Sequence, residues 1–208
     1  MIPLLLPALS FEYELGMQNL RVSEASAGAP VLPVVMIDDK SAGFSQAVNR
    51  GLGALLGDPD WLCLCVLACD LRYEQQGWLV RMQEVLLSDP TFGFVGPSVQ
   101  CGTHPQNKGR PGLSKGFQVT RQLNFTGVLV RRETIEAVGL LDEDLVHYGT
   151  DYDYIHRSQE QGWKAVWCHD VWCVHDWDGK IKHPEFVAAD RALYYSRWTR
   201  TGMRIHGN

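Results

Sequence analysis

An acidic residue where a buried strand runs out, and two more where a helix opens, are the side chains best suited to chemistry. The first is Asp70, in Ala68-Cys69-Asp70-Leu71, directly after the apolar run 61–68. The others are Asp151 and Asp153, in Gly149-Thr150-Asp151-Tyr152-Asp153. In an open α/β sheet, ligands collect beyond the carboxyl ends of the strands. One carboxylate there can hold a divalent cation on a diphosphate, and another can take a proton from an attacking hydroxyl. The pattern predicts metal-assisted group transfer. Asp151 is the candidate general base, since the dipole and free N–H groups of a first helical turn favour its anion. Asp153 stands three residues past Thr150, as in a capping box. Against this, a turn aspartate after a strand and acids at a helix start are common without any function.

The elements that must position these residues alternate. The segment 2–6 reads as a short buried strand, 12–26 as a helix, and 31–37 as a β-branched strand covered on both faces. A helix over 43–56, a strand over 61–68, a helix from Trp78 to Asp89-Pro90 and a strand over 92–95 follow. This order predicts a parallel sheet with right-handed crossovers. The stretch 99–115 is rich in Gly and Pro and reads as a long loop, in which Lys108, Arg110 and Lys115 could steer a phosphate. Beyond it come a strand over 127–130, a helix over 132–138, a helix from Thr150 to Gly162, a strand over 165–174 and a helix from Pro184 to about Thr199.

At 208 residues, 45% hydrophobic and 21% charged, the chain has an ordinary globular composition. Its net charge of −5 argues against a nucleic-acid-binding face. No stretch is long enough to span a membrane. The segment 1–9 lacks the basic start of a signal peptide. Four of the six cysteines lie in apolar, strand-like runs, where a reduced Cys acts as a small hydrophobe. A cytoplasmic location is the expectation. Cys168, His169, Cys173 and His175 invite a zinc reading, but they alternate along a strand where closed zinc sites use tight knuckles.

Several blocks, taken in order, resemble the family 2 glycosyltransferases, closest to their rhamnosyltransferase-like branch. Val35-Met36-Ile37-Asp38-Asp39 resembles the strand and acidic turn that hold a nucleobase and ribose. Gly43-Phe44-Ser45-Gln46-Ala47-Val48-Asn49 resembles the helix opening that follows. The run 64–71 with Gly77-Trp78-Leu79 resembles the family's third-strand block. Gly139-Leu140-Leu141-Asp142-Glu143, then Thr150-Asp151-Tyr152-Asp153 and Arg157, resemble its catalytic block. Two departures stand out. Ala68 replaces the first acid of an Asp-x-Asp motif, and the nucleotide half is one strand–helix pair short.

The resemblance implies an α/β fold of the GT-A (Rossmann-like) type, a mostly parallel central sheet flanked by helices with a shortened N-terminal nucleotide-binding half. It implies one domain over 1–208, with the nucleotide half in 1–98 and the acceptor and catalytic half in 116–208. The activity implied is inverting transfer of a hexosyl or deoxyhexosyl group from a nucleotide-diphosphate sugar to a hydroxyl of a saccharide or lipid-linked acceptor. Asp151 would be the base, Asp70 and His175 the ligands of Mn²⁺ or Mg²⁺, and Pro7, Asp38, Asp39 and Asn49 the nucleotide contacts. Trp177, Asp153 and Thr126 would face the acceptor, since aromatic rings stack on sugar C–H faces. The alternative is a non-catalytic module of the same fold that binds a sugar, a nucleotide or a partner protein.

Overall fold

The computed structural model describes residues 1–9, 12–38, 42–99, 115–176, 184–199 and 203–204. An eight-stranded mixed sheet runs in the order β2-β1-β3-β7-β5-β8-β4, with β6 also paired to β8. The strands are β1 (Ile2–Leu9), β2 (Val31–Asp38), β3 (Cys63–Val66), β4 (Leu71–Arg72), β5 (Phe92–Val99), β6 (Phe117–Thr120), β7 (Val128–Arg131) and β8 (Lys164–His175). β1, β2, β3, β5 and β8 share one direction, and β7 lies antiparallel between β3 and β5. The helices are α1 (Tyr13–Ser26), α2 (Phe44–Leu56), α3 (Trp78–Leu87), α4 (Arg132–Val138), α5 (Thr150–Glu160) and α6 (Pro184–Arg197).

Alternation along the strands divides the core in two. Leu4 and Leu6 of β1 and Cys63 and Cys65 of β3 face α1 and α3. Leu5, Leu64 and Val66 face α2, α4 and α5. The α3 positions Trp78, Leu79, Met82, Val85 and Leu86 are all buried, as their helical spacing predicts. Cys63, Cys65, Cys69, Cys168 and Cys173 are free thiols inside this packing. Burial pushes the Cys63 thiol up to about 11, which suits a hydrophobe rather than a nucleophile.

Several elements differ from the sequence expectation. β2 is an edge strand paired only with β1, and Leu32 and Ile37 are 41% and 43% exposed. A continuous apolar run looks the same at an edge as in the middle of a sheet. Ile2 N–H donates to the Pro30 carbonyl, so alternation turns the odd residues of β2 outward. Pro33 therefore removes a donor from the free edge, and Arg50 covers the outward carbonyl of Ile37. β3 is shorter than 61–68 because Trp61 turns back, its indole N–H donating to Leu55 O. β5 extends to Val99, and the short strands β4 and β6 carry too few residues to show a period.

The turn after β3 is fixed by the polar face of α1. Asn19 donates to Cys69 O at 2.9 Å, Tyr73 N–H to Ser23 Oγ at 3.0 Å, and Ser26 Oγ to Tyr73 O at 2.6 Å. The Tyr73 ring stacks on Trp78 with centroids 3.7 Å apart. Its hydroxyl donates to Gly127 O. Gly127 has φ +69° and a Cβ there would sit 2.5 Å from that hydroxyl, so only glycine fits.

Ser23→Ala should leave the Tyr73 N–H buried without an acceptor. We expect a loss of ~1–3 kcal/mol in urea unfolding with an unchanged m-value. An unchanged midpoint would show that water replaces the serine.

Candidate active site

The candidate residues gather at the carboxyl edge of the sheet. Pro7 lies within β1 opposite Met36, two residues before the strand ends at Leu9 opposite Asp38, the last residue of β2. Asp70 follows β3. Val66 pairs with Val128, so the segment from Asn124 to Gly127, just ahead of the antiparallel β7, lies at that same edge. Asp39 and Trp177 lie outside the described residues.

Asp70 and His175 are brought together. β4 pairs with β8 through Leu71 and His175, and Asp176 N–H donates to Asp70 O. His175 Nε2 then lies 3.0 Å from Asp70 Oδ1. Asp70 is 5% exposed. Carboxylate oxygen and imidazole nitrogen both ligate divalent cations, and Mg²⁺ or Mn²⁺ often takes only one or two protein groups besides phosphate and water. The pair fits such an ion. Among the described residues no group of three or more His, Cys, Asp or Glu side chains could hold a metal. Cys168 and Cys173 are part of the core, and His169 lies against Trp167 with ring centroids 4.2 Å apart.

Asp151 sits at the start of α5, whose N-cap is Gly149 in the left-handed region. Its carboxylate accepts N–H groups from Phe125 at 3.3 Å and Tyr152 at 2.9 Å. The expected effect of the helix start is present but outweighed. Desolvation raises the Asp151 pKa to about 6, and the backbone donors offset only part of it. A carboxyl poised near neutrality suits general-base work better than a fully stabilised anion. Beside it, Tyr152 Oη donates to Asn124 Oδ1 at 2.6 Å. The hydroxyl oxygen of Thr126 is buried with no hydrogen-bond partner among the described residues.

Three sequence expectations change. Asp153 does not cap α5 and does not face an acceptor. It is 1% exposed, accepting from Trp198 Nε1 and Arg157 Nε at 2.8 Å each, with Arg197 at 3.6 Å. Asp153 lies on the side of α5 that packs on α6, so its charge turns inward. Asn49, expected at the nucleotide, has its amide engaged with Leu141 N–H, Leu141 O and Glu143. Asp38 closes its own turn by accepting Ala42 N–H at 2.9 Å and Gly43 N–H at 2.8 Å.

Sequence reasoning missed the loop at Leu145–Tyr148, which is held between α2 and α6. Gly43 has φ +100°, and a Cβ there would lie 2.4 Å from Val146. Ser45 Oγ donates to Leu145 O and lies 2.7 Å from Thr150 Oγ1. From the other side, Asp190 of α6 accepts N–H groups from Val146, His147 and Tyr148. A lone Asp in a helix interior gives no sequence signal for such a role.

No family model matches the chain, and no curated protein matches it. Solved structures do. GalNAc-T7, determined with UDP, GalNAc and Mn²⁺, superposes with a TM-score of 0.68 at 12% identity, over 97% of this chain and 48% of that one. The mannosyltransferase PcManGT from Pyrobaculum calidifontis, in complex with GDP-Man and Mn²⁺, gives 0.64 at 16% identity, over 95% and 65%. The catalytic domain of Drosophila β1,4-galactosyltransferase 7, in complex with xylobiose, gives 0.56 at 14% identity, over 82% and 65%. The fold is that of the GT-A glycosyltransferases. The chain spans about half to two-thirds of the length of these structures. No helix among the described residues is long and apolar enough to cross a membrane.

The raised pKa of Asp151 has a consequence for stability. From about pH 4 to about pH 6 the folded chain keeps a proton that the unfolded chain has lost, so this group's contribution falls as pH rises. Asp151→Asn should therefore stabilise the fold at pH 8 by ~1–3 kcal/mol. The difference should vanish at pH 3, where the carboxyl is neutral in both states. Chemical denaturation at the two pH values measures it.

Proposed function

We propose that the chain is a glycosyltransferase that moves a hexosyl or deoxyhexosyl group from a nucleotide-diphosphate sugar to an acceptor hydroxyl, with inversion. The observation that carries this reading is Asp151. It is a desolvated carboxylate with a pKa near neutrality, at a helix start on the carboxyl edge of a GT-A sheet. The Mn²⁺ bound with UDP and GalNAc in GalNAc-T7 and with GDP-Man in PcManGT supports the same assignment.

Asp70 and His175 would hold a divalent cation, which when bound offsets the negative charge of the departing diphosphate. Asp151 accepts the proton of the acceptor hydroxyl while its oxygen attacks the anomeric carbon opposite the diphosphate. Phe125 N–H keeps one carboxylate oxygen oriented, and the other face of the carboxylate receives the proton. A saccharide or lipid-linked alcohol provides the hydroxyl. Thr126, with its unpartnered oxygen in the segment that meets Asp151, is available to hold the acceptor. On the sequence resemblance, Pro7 and Asp39 would serve the nucleotide side and Trp177 the acceptor side. A second reading, a non-catalytic binding module, draws on Ala68, which packs against the core where an acid would add a further ligand.

Two measurements test the assignment. With a panel of UDP-, GDP- and dTDP-sugars, Asp151→Asn should keep donor binding and lose roughly 10²–10⁴-fold in transfer. A wild-type chain that binds a donor but neither transfers nor hydrolyses it would favour the binding module. In calorimetry, Asp70→Ala and EDTA should each weaken nucleoside diphosphate binding, and should not add to one another. Equal affinity with and without Mn²⁺ in both chains would exclude the cation.

A further inference from the structure

Helix α6 presents Asp190, Tyr194 and Arg197 at helical spacing, followed by Trp198, and all of them act on α5 or the loop ahead of it. Trp198 and Arg197 meet Asp153. Tyr194 lies against Gly149 and places its hydroxyl 3.1 Å from His156 Nε2. Asp190 does something different. It is 1% exposed, and among the described residues it pairs with no cation. Its oxygens accept three successive backbone N–H groups, from Val146 at 3.1 Å, His147 at 2.9 Å and Tyr148 at 2.8 Å.

That demand selects a carboxylate. Three converging donors need two acceptor oxygens, whereas an amide offers one and turns its own NH₂ toward the remaining N–H. The turn so held leads through Gly149 and Thr150 directly into Asp151. Ser45 of α2 grips it from the opposite side, at Leu145 O and Thr150. The loop is thus clamped between the nucleotide half and α6.

We propose that Asp190 is a positioning residue for the general base: it fixes the Val146–Tyr148 turn so that the Asp151 carboxyl stays desolvated against Phe125. This rests on the transferase reading above. Among the described residues, Tyr152 of its own helix and Tyr194 of α6 interact electrostatically with Asp151, and neither is cationic. The segment before β7 contributes the Phe125 N–H, and α2 contributes the neutral Ser45. Loosening the turn admits water, and water favours the Asp151 anion.

The experiment is a ¹³C-carboxyl NMR titration of Asp151 in the intact chain, read beside transfer kinetics. In Asp190→Asn the Asp151 midpoint should fall from about 6 toward the ordinary carboxylate value near ~4. The kcat should drop about tenfold to a hundredfold with donor affinity unchanged, and the acidic limb of the pH–rate profile should move with the NMR midpoint. Asp190→Glu keeps both oxygens and should give an intermediate midpoint; it carries the test if the asparagine variant does not fold. A lower melting temperature with the midpoint and kcat unmoved, in whichever variant folds, would overturn the proposal and leave Asp190 a purely stabilising residue. A wild type whose Asp151 titrates near 6 yet transfers nothing would instead refute the transferase reading, while the NMR comparison would still decide the role of Asp190.

Discussion

A carboxylate taken out of water must be given donors, and this requirement organises the working end of the molecule. Asp38, Asp70, Asp153 and Asp190 are each 5% exposed or less. Each has a different solution. Asp38 takes the N–H groups of its own turn, Asp70 a histidine, Asp153 two arginines and an indole, and Asp190 three N–H groups of a distant loop. Three of these four sets of donors come from another element, so each pairing also fixes one element against another. Asp151 is the exception. Desolvation outweighs its two backbone donors and raises its pKa to about 6.

That contrast leaves one titratable carboxyl inside an otherwise fixed region. The satisfied acids set the positions of the β2–α2 turn, the β4–β8 pair, α5 and the loop ahead of it. Asp151 is then held by that frame together with the N–H groups of Phe125 and Tyr152. The cost is a carboxylate whose charge opposes folding above about pH 6.

The α1 side of the sheet serves the same end by other means. Asn19, Ser23 and Ser26 sit where an amphipathic helix would ordinarily carry apolar residues, and they bind the backbone of the turn that bears Asp70. Irregular backbone buried against a helix needs such partners. The stacked Tyr73–Trp78 pair and the Tyr73 hydroxyl then carry the constraint across to Gly127 and the segment that reaches Asp151. On the far side of the sheet, β2 stands at a free edge guarded by Pro33 and Arg50.

By itself the sequence determined the elements with strong periods and the ends of its strands. The α3 face, the β1, β5 and β8 runs and the placement of Asp70 after a strand are all legible, because burial repeats every two or three to four residues and turns follow Gly, Pro and Asp. The blocks around Gly43, Trp78 and Asp151 were enough to anticipate the fold. What only the tertiary structure decided is which polar groups meet. β2 became an edge, Asn49 turned to Leu141, Asp153 turned inward to Trp198, and Asp190 reached a loop 42 to 44 residues earlier in the chain. Local pattern encodes how much of a residue is buried, but not against what. The pKa of Asp151 shows the consequence: the helix start predicts an easy anion, and packing around it, which no local pattern contains, raised it to about 6.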